Sequence, residues 1–329
     1  MILQKILNNI YRMYTTFFYN IKPFGFSVAF YKSIDVFTTR FSNTFIGNYV
    51  SRKKHKSILK YIETKYKNEI ELIAQKISLY KPVEYDNNFC IWQCWWQGEK
   101  NLNGITKLCT NSVKANSNGI PINLITLDNY KDYIKFPSVI IEKYNKGLIS
   151  LTELSDILRV NLLLKYGGIW IDATIFLNEN IFDIIRSYDF YTCPEPCKNN
   201  AFVSCYRWNT SFIGGKKNLP IFAFVSKMFE MYWTNESKLI DYYLLDYIIA
   251  IGYKTVSVIR REVDNVPFNN VKKHMLQPLL NMSFDKNKWK YLTCDTGVFK
   301  LSRKAKYPYI KYNEDSKLTF YGYISKKYM

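Results

Sequence analysis

The chain has 329 residues, 46 Lys+Arg against 27 Asp+Glu for a formal charge of +19, and 48% hydrophobic residues. A soluble chain of this length buries roughly three quarters of its unfolded surface, which excludes wholesale disorder. With 13 Gly and 10 Pro it is neither collagen-like nor linker-dominated, and seven Cys, an odd and sparse number, exclude a disulfide-stapled secreted scaffold.

The longest uncharged apolar stretches, such as Ile248 to Tyr253, fall far short of the ~20 residues that cross a bilayer. At the N-terminus there is no compact apolar run followed by a small-residue cleavage site, so a cytoplasmic location is expected. The basic surplus draws a protein towards anionic lipid, nucleic acid or phosphorylated substrates. Zinc-finger spacing, a basic zipper and an aromatic RNA-binding signature are all missing, so nucleic acid is not expected as a partner.

Residues 1–84 read as a helical, basic extension. Ile2, Leu3, Ile6, Leu7, Ile10, Met13, Tyr14 and Phe17 recur at three- and four-residue intervals, which makes one stripe of a first helix apolar. A second, longer helix is expected from Ile58, Leu59, Ile62, Tyr66, Ile70, Ile73 and Ile77, stopped by Pro82, with the basic run RKKHK at 52–56 near its start. Both stripes are expected first to pack on the main domain. The sharper reading is an anchor on the inner face of an anionic membrane, since basic residues beside an aromatic-rich apolar face suit such a surface.

From about residue 88 strands and helices alternate, the grammar of an α/β domain with a parallel or mixed sheet over 85–329. FCIWQCWW reads as a first core strand, with Trp92 facing the core opposite Trp95. A helix over Leu102 to Asn116 ends at the Asn118-Gly119 turn pair, and Ile120 to Thr126 reads as a second strand followed by the polar loop DNYKDY. Ser150 to Glu153 forms a capping box that opens a helix with Leu154, Ile157, Leu158, Leu162 and Leu163 on its apolar face and Gly167 at its end. IWIDATIFL follows as one buried strand. Beyond Asn178, Phe202 to Tyr206 and Ser211 to Ile213 look strand-like, Leu219 to Met231 and Lys238 to Ile251 look helical, and only short elements are expected after Pro267.

Asp172 is the most informative position: a carboxylate in an apolar strand needs a partner or a place where the strand emerges into a site. Ligands of open α/β sheets collect at the carboxyl ends of strands, where Asp172 and Thr174 would lie. A Mn²⁺ or Mg²⁺ ion held there by a carboxylate, waters and substrate phosphates fits the habits of hard cations. Asp156 and Arg159, three residues apart on the preceding helix, share a face and either point together at a ligand or form an ordinary surface pair. Zinc is not expected: Cys90 and Cys94 in a strand lie ~13 Å apart, and Cys193 and Cys197 lack a second pair.

The segment Phe89 to Leu177, with IWQCWWQG, SDILRVNLLLKYGG and WIDAT in this order and spacing, resembles the bacterial capsular polysaccharide synthesis proteins, which are similar to glycosyltransferase family 32 and more distantly to the glucosylating clostridial toxins. The resemblance implies a GT-A fold, with a nucleotide-sugar part over about 85–178 and an acceptor part over about 179–329. Trp95 then matches the aromatic stacked on the nucleobase, with Gln97 and Gly98 continuing its loop. Asp156 and Arg159 match the pair on the donor sugar, Asp172 the first carboxylate of the DxD metal motif, and Asn209 a later polar residue facing the sugar. The second DxD carboxylate is Thr174 here, so a further metal ligand would come from His274, Asp295, Glu314 or Asp315. The implied reaction moves a hexose from a nucleotide-diphosphate sugar, a UDP-hexose first among them, to a glycan or lipid-linked oligosaccharide, with retention. A catalytically inactive glycan-binding or scaffold member at the membrane is the alternative.

Overall fold

The computed structural model describes residues 2–38, 44–85, 89–197, 201–304 and 308–329, the side chains of residues 2, 3, 5 and 6 excepted. The first helix is longer than its stripe suggests: α1 (Ile2–Thr38) bends at Gly25, where φ is 79°, two residues after Pro23. The Pro23 carbonyl accepts the Tyr61 hydroxyl at 3.0 Å, and Phe24, Val28 and Ala29 bury this second half of the helix. Ahead of the bend the expected packing fails. Leu7, Ile10 and Tyr14 are more than half exposed, while Met13 and Phe17 are half-buried; Ile2, Leu3 and Ile6 fall outside the described side chains.

The second expected helix is two, α2 (Phe45–Lys65) and α3 (Lys67–Ile77), broken at Tyr66, whose φ of −114° and ψ of 29° leave the helical region. Its stripe does pack: Ile58, Ile62, Tyr66, Ile70 and Ile77 are buried in the same core as the sheet, with Leu59 and Ile73 at its margin.

The sheet-bearing part runs β1 (Ile91–Cys94), α4 (Gly104–Asn116), β2 (Ile122–Ile125), α5 (Tyr130–Tyr133), α6 (Ser138–Asn145), α7 (Leu151–Tyr166), β3 (Gly168–Ile171), β4 (Ile175–Leu177), α8 (Phe182–Arg186), β5 (Phe190–Thr192) and β6 (Phe212–Gly215). It continues through α9 (Pro220–Asn235), α10 (Leu244–Thr255), α11 (Ser257–Asp264), α12 (Lys286–Thr293), β7 (Val298–Lys300) and α13 (Phe320–Tyr328). Five strands form a mixed sheet in the order β2-β1-β3-β6-β5; β1 runs parallel to both β2 and β3, and β6 antiparallel to β3 and β5. This is the α/β arrangement expected: a mixed sheet flanked by helices, preceded by a helical region. At Gly168 β3 passes so close to β1 that a Cβ would meet the Cys90 carbonyl oxygen at 2.3 Å, which explains glycine there.

Three expectations change. IWIDATIFL is not one strand. The Asp172 amide bonds the Ser211 carbonyl and the Ile175 amide turns back to the Asp172 carbonyl, so the chain leaves the five-stranded sheet and pairs β4 with β7 in a separate two-stranded one. Phe202 to Tyr206 is a run of turns with Cys205 and Tyr206 at φ 45° and 63°, and the sheet edge is taken by β5 instead. Helix α10 starts six residues later than Lys238. Of the described helices, none is long and apolar enough to cross a membrane.

Candidate active site

Helix α7 opens with the capping box complete: Glu153 N–H donates to Ser150 Oγ at 3.3 Å and Ser150 N–H to Glu153 Oε2 at 2.6 Å. Its leucine face is fully buried, which fixes the rotation of the helix and carries Asp156 and Arg159 towards the carboxyl end of β3. There Arg159, 6% exposed, reaches several acceptors. Nη2 lies 3.1 Å from Asp156 Oδ1 and 3.3 Å from Asp172 Oδ1, and Nη1 donates to the Thr210 carbonyl at 2.6 Å. Its guanidinium sits 4.8 Å over the Trp170 ring. Asp172 Oδ1 also accepts Trp170 Nε1 at 2.8 Å, and Oδ2 accepts Lys300 Nζ at 2.7 Å. Residues 156, 159 and 172 are therefore one network at the mouth of β3.

The charges within it are unequal. Burial pushes the Asp156 carboxyl up to about 7 against the pull of Arg159, with Asp172, Asp246 and Glu153 adding to the rise. Asp246, on α10, is raised to about 6 by burial, against the hydrogen bond from Trp208 Nε1 at 2.8 Å and the Arg159 charge. Burial acts on Asp172 too, but Lys300, Arg159 and the bonds from Lys300 and Trp170 outweigh it and hold its carboxyl below the ordinary range. At neutral pH Asp172 is thus the fixed anion and Asp156 titrates.

Strands β1 and β3 are parallel neighbours, so the loops after both open on one edge of the sheet. Trp95 stands in the β1 loop, half-buried, with the Arg303 guanidinium 5.0 Å from its ring and its Nε1 donating to the Asn101 carbonyl at 3.3 Å. The exposed Gln97 is followed by Gly98, whose φ of 87° suits the turn that closes this loop. Asn209 Oδ1 accepts Ser211 N–H at 2.9 Å and Ser211 Oγ at 2.6 Å, which shapes the loop whose carbonyls receive Arg159 and the Asp172 amide. Thr174 flanks the site, its carbonyl accepting Leu301 N–H at 2.9 Å beside the end of β7.

Lys300, Asp246, Trp170, Trp208 and Arg303 belong to this neighbourhood and were not singled out from the sequence. Period-two alternation does put Trp170 on the same strand face as Asp172. Lys300 lies 128 residues from its partner and carries no local signal.

A divalent ion fits these residues poorly. Both Asp172 oxygens already receive N–H donors, two of them cationic, and Thr174 brings no charge. Of the four other candidate ligands, His274 Nε2 lies 3.7 Å from Glu195, Asp295 pairs with Lys272 at 2.8 Å, and Glu314 and Asp315 are exposed near the C-terminus. Among the described residues no three His, Cys, Asp or Glu side chains gather in metal-binding fashion. Cys94, Cys109, Cys193, Cys205 and Cys294 are free thiols.

Fold and site together define an α/β protein with a cluster of carboxylates and cations at the carboxyl edge of a mixed sheet. The chain belongs to the family described as capsular polysaccharide synthesis protein, whose model matches residues 40–324. Among solved structures it is similar to a protein described as PaToxG glycosyltransferase, at 17% identity over 67% of this chain and 84% of that one, with a TM-score of 0.37. No curated protein matches the chain.

Proposed function

We propose that the protein transfers a hexose from a nucleotide-diphosphate sugar, a UDP-hexose first among donors, to a glycan or lipid-linked oligosaccharide in capsule synthesis, with retention at the anomeric carbon. The observation that carries this reading is the joining of Asp156, Arg159, Asp172 and Lys300 at the sheet edge that also bears Trp95. When the anomeric carbon leaves the diphosphate, negative charge grows on the leaving oxygens. Arg159 and Lys300 are preorganised cations for that charge, held by Asp172 so that no reorganisation is needed at the moment of reaction. Trp95 stacks on the base, Gln97 and Gly98 shape the loop beside it, and Asp156 with Asn209 faces the sugar hydroxyls.

The Mn²⁺ or Mg²⁺ ion implied by the family resemblance would rest on Asp172 and Thr174, and Lys300 would have to leave Oδ2 to admit it. Without that ion Arg159 and Lys300 supply the positive charge, and turnover is expected to persist in EDTA. A second reading, an inactive glycan-binding or scaffold member, is favoured by the same saturated Asp172 and by Thr174 in place of a carboxylate.

Slow hydrolysis of a panel of UDP- and GDP-sugars, with EDTA or with Mn²⁺, tests all three points. The wild type should hydrolyse at least one donor, and Asp172→Ala should lose about a hundredfold in rate. Trp95→Ala should weaken donor affinity by roughly tenfold or more, the scale of a lost base stack. Hydrolysis only with Mn²⁺ would return the metal to Asp172 and Thr174; glycan binding without hydrolysis of any donor would favour the scaffold.

A further inference from the structure

Ahead of its bend, α1 carries an apolar face that the described residues leave uncovered. Leu7, Tyr11, Tyr14 and Phe18 follow one another at four-, three- and four-residue steps and are 55–67% exposed. The face continues across the bend through rings in contact: Tyr14 on Phe18 at 4.4 Å, Phe18 on Phe17 at 5.4 Å, Phe17 on Phe26 at 5.8 Å, and Phe26 on Phe30 at 5.7 Å. A patch of this size and continuity on a folded protein marks a surface that something covers. The buried Phe24, Val28 and Ala29 fasten the helix, as does Lys32, whose ammonium bonds the Ile240 carbonyl and, at 3.0 Å, Asn20 Oδ1. The patch is therefore presented from a fixed helix.

Its charge identifies the occupant. Residues 1–34 contain Lys5, Arg12, Lys22 and Lys32 and no Asp or Glu; over residues 1–60 there are ten Lys or Arg and one acid, Asp35, which Lys54 and Ser51 already hold at 2.7 and 2.8 Å. A second copy docking through the same face would set Arg12 and Lys22 against their own equivalents with no acid to pair them. An anionic bilayer surface offers headgroup charge for the cations and an interfacial layer for the rings at once. We infer that α1 is an interfacial helix that docks the protein flat on an anionic lipid surface through Leu7, Tyr11, Tyr14, Phe18, Phe26 and Phe30, with Arg12 and Lys22 on the headgroups. This goes beyond the sugar-transfer reading and does not depend on it.

The test is flotation of the full chain with neutral phosphatidylcholine vesicles and with vesicles that also contain phosphatidylglycerol. Wild type should float with the anionic vesicles, less so at high salt, and stay behind with the neutral ones. Phe18→Ser/Phe26→Ser should lower the partition at least about tenfold, the scale of two aromatic side chains left in water. Arg12→Glu/Lys22→Glu should abolish the preference for anionic vesicles. These four side chains are exposed, so circular dichroism should show both variants folded; should the aromatic variant misfold, the charge variant and the wild-type lipid comparison still decide. Equal partition to both vesicle types, no flotation at all, or wild-type-like flotation of both variants overturns the proposal. A dimer in sedimentation velocity that the aromatic variant dissolves, with no vesicle binding, would make the occupant a second copy and overturn it as well.

Discussion

Arg159 stands between two carboxylates that behave differently, and that difference is measurable at the level of a single residue. The folded Asp156 carboxyl titrates at about 7, above the ordinary value near 4 that it regains on unfolding. Between those values the folded protein binds more protons than the unfolded chain, so the stability Asp156 contributes is present at low pH and is lost as pH rises from about 4 to about 7. Asp172 is lowered and acts in the opposite sense below pH 4. Asp156→Asn removes the first effect. Urea denaturation from pH 4.5 to 8 should therefore show the variant gaining on wild type as pH rises, with the difference level above about pH 7.5; a pH-independent difference would place Asp156 outside the charged cluster. At this scale Asp156, Arg159 and Asp172 were legible because helical spacing and a strand mouth are local properties. Lys300 and Asp246 were not, because only the tertiary fold brings β7 and α10 to the same edge.

Elements were legible where capping chemistry or periodicity marks them. Helix α7 has a capping box at one end and Gly167, with φ 69°, at the other, and both ends fall where the sequence puts them. The split of β3 from β4 was hidden because Ala173 and Thr174 suit a strand as well as a turn; the partners that decide it, Ser211 and β7, are far along the chain. Glu236, just past α9, shows the same dependence. It is 5% exposed and takes Lys65 Nζ at 2.7 Å, the Tyr61 hydroxyl at 2.9 Å and the Tyr66 hydroxyl at 2.6 Å, which ties the junction of α2 and α3 to the main domain. Glu236→Ala leaves the buried Tyr66 hydroxyl without its acceptor, while Tyr61 keeps the Pro23 carbonyl and the part-exposed Lys65 keeps water, and should cost about 2 kcal/mol in urea denaturation. Ser150→Ala, which removes only the α7 cap, should cost about 1 kcal/mol by the same measurement. A smaller loss for Glu236→Ala than for Ser150→Ala would show that the helices are held by apolar packing alone.

For the molecule as a whole, the helical region before residue 85 is two things joined in one stretch of sequence. The family match begins at residue 40, and Ile58, Ile62, Ile70 and Ile77 share the core of the sheet, whereas Leu7, Ile10, Tyr11 and Tyr14 of α1 are exposed. Removing residues 2–8, which keeps the buried Asn9 and Asn20 in place, should leave the unfolding midpoint in urea unchanged, while removing 1–84 should yield insoluble protein because the helices packed under α2 and α3 lose their cover. Soluble, cooperatively unfolding protein after the longer deletion would contradict this division. Periodicity reported both stripes alike; it cannot tell a stripe that faces protein from one that faces another phase, and only the packing separates them.

The central claim is that the cations at the β3 mouth receive the diphosphate of a sugar donor. A crystal structure of the protein soaked with a non-hydrolysable UDP-hexose analogue tests it most directly. The diphosphate should lie within hydrogen-bond reach of Lys300 and Arg159, with the base stacked on Trp95. Density for the analogue elsewhere on the protein, with the Arg159–Asp172–Lys300 network undisturbed and sealed from it, would contradict the account.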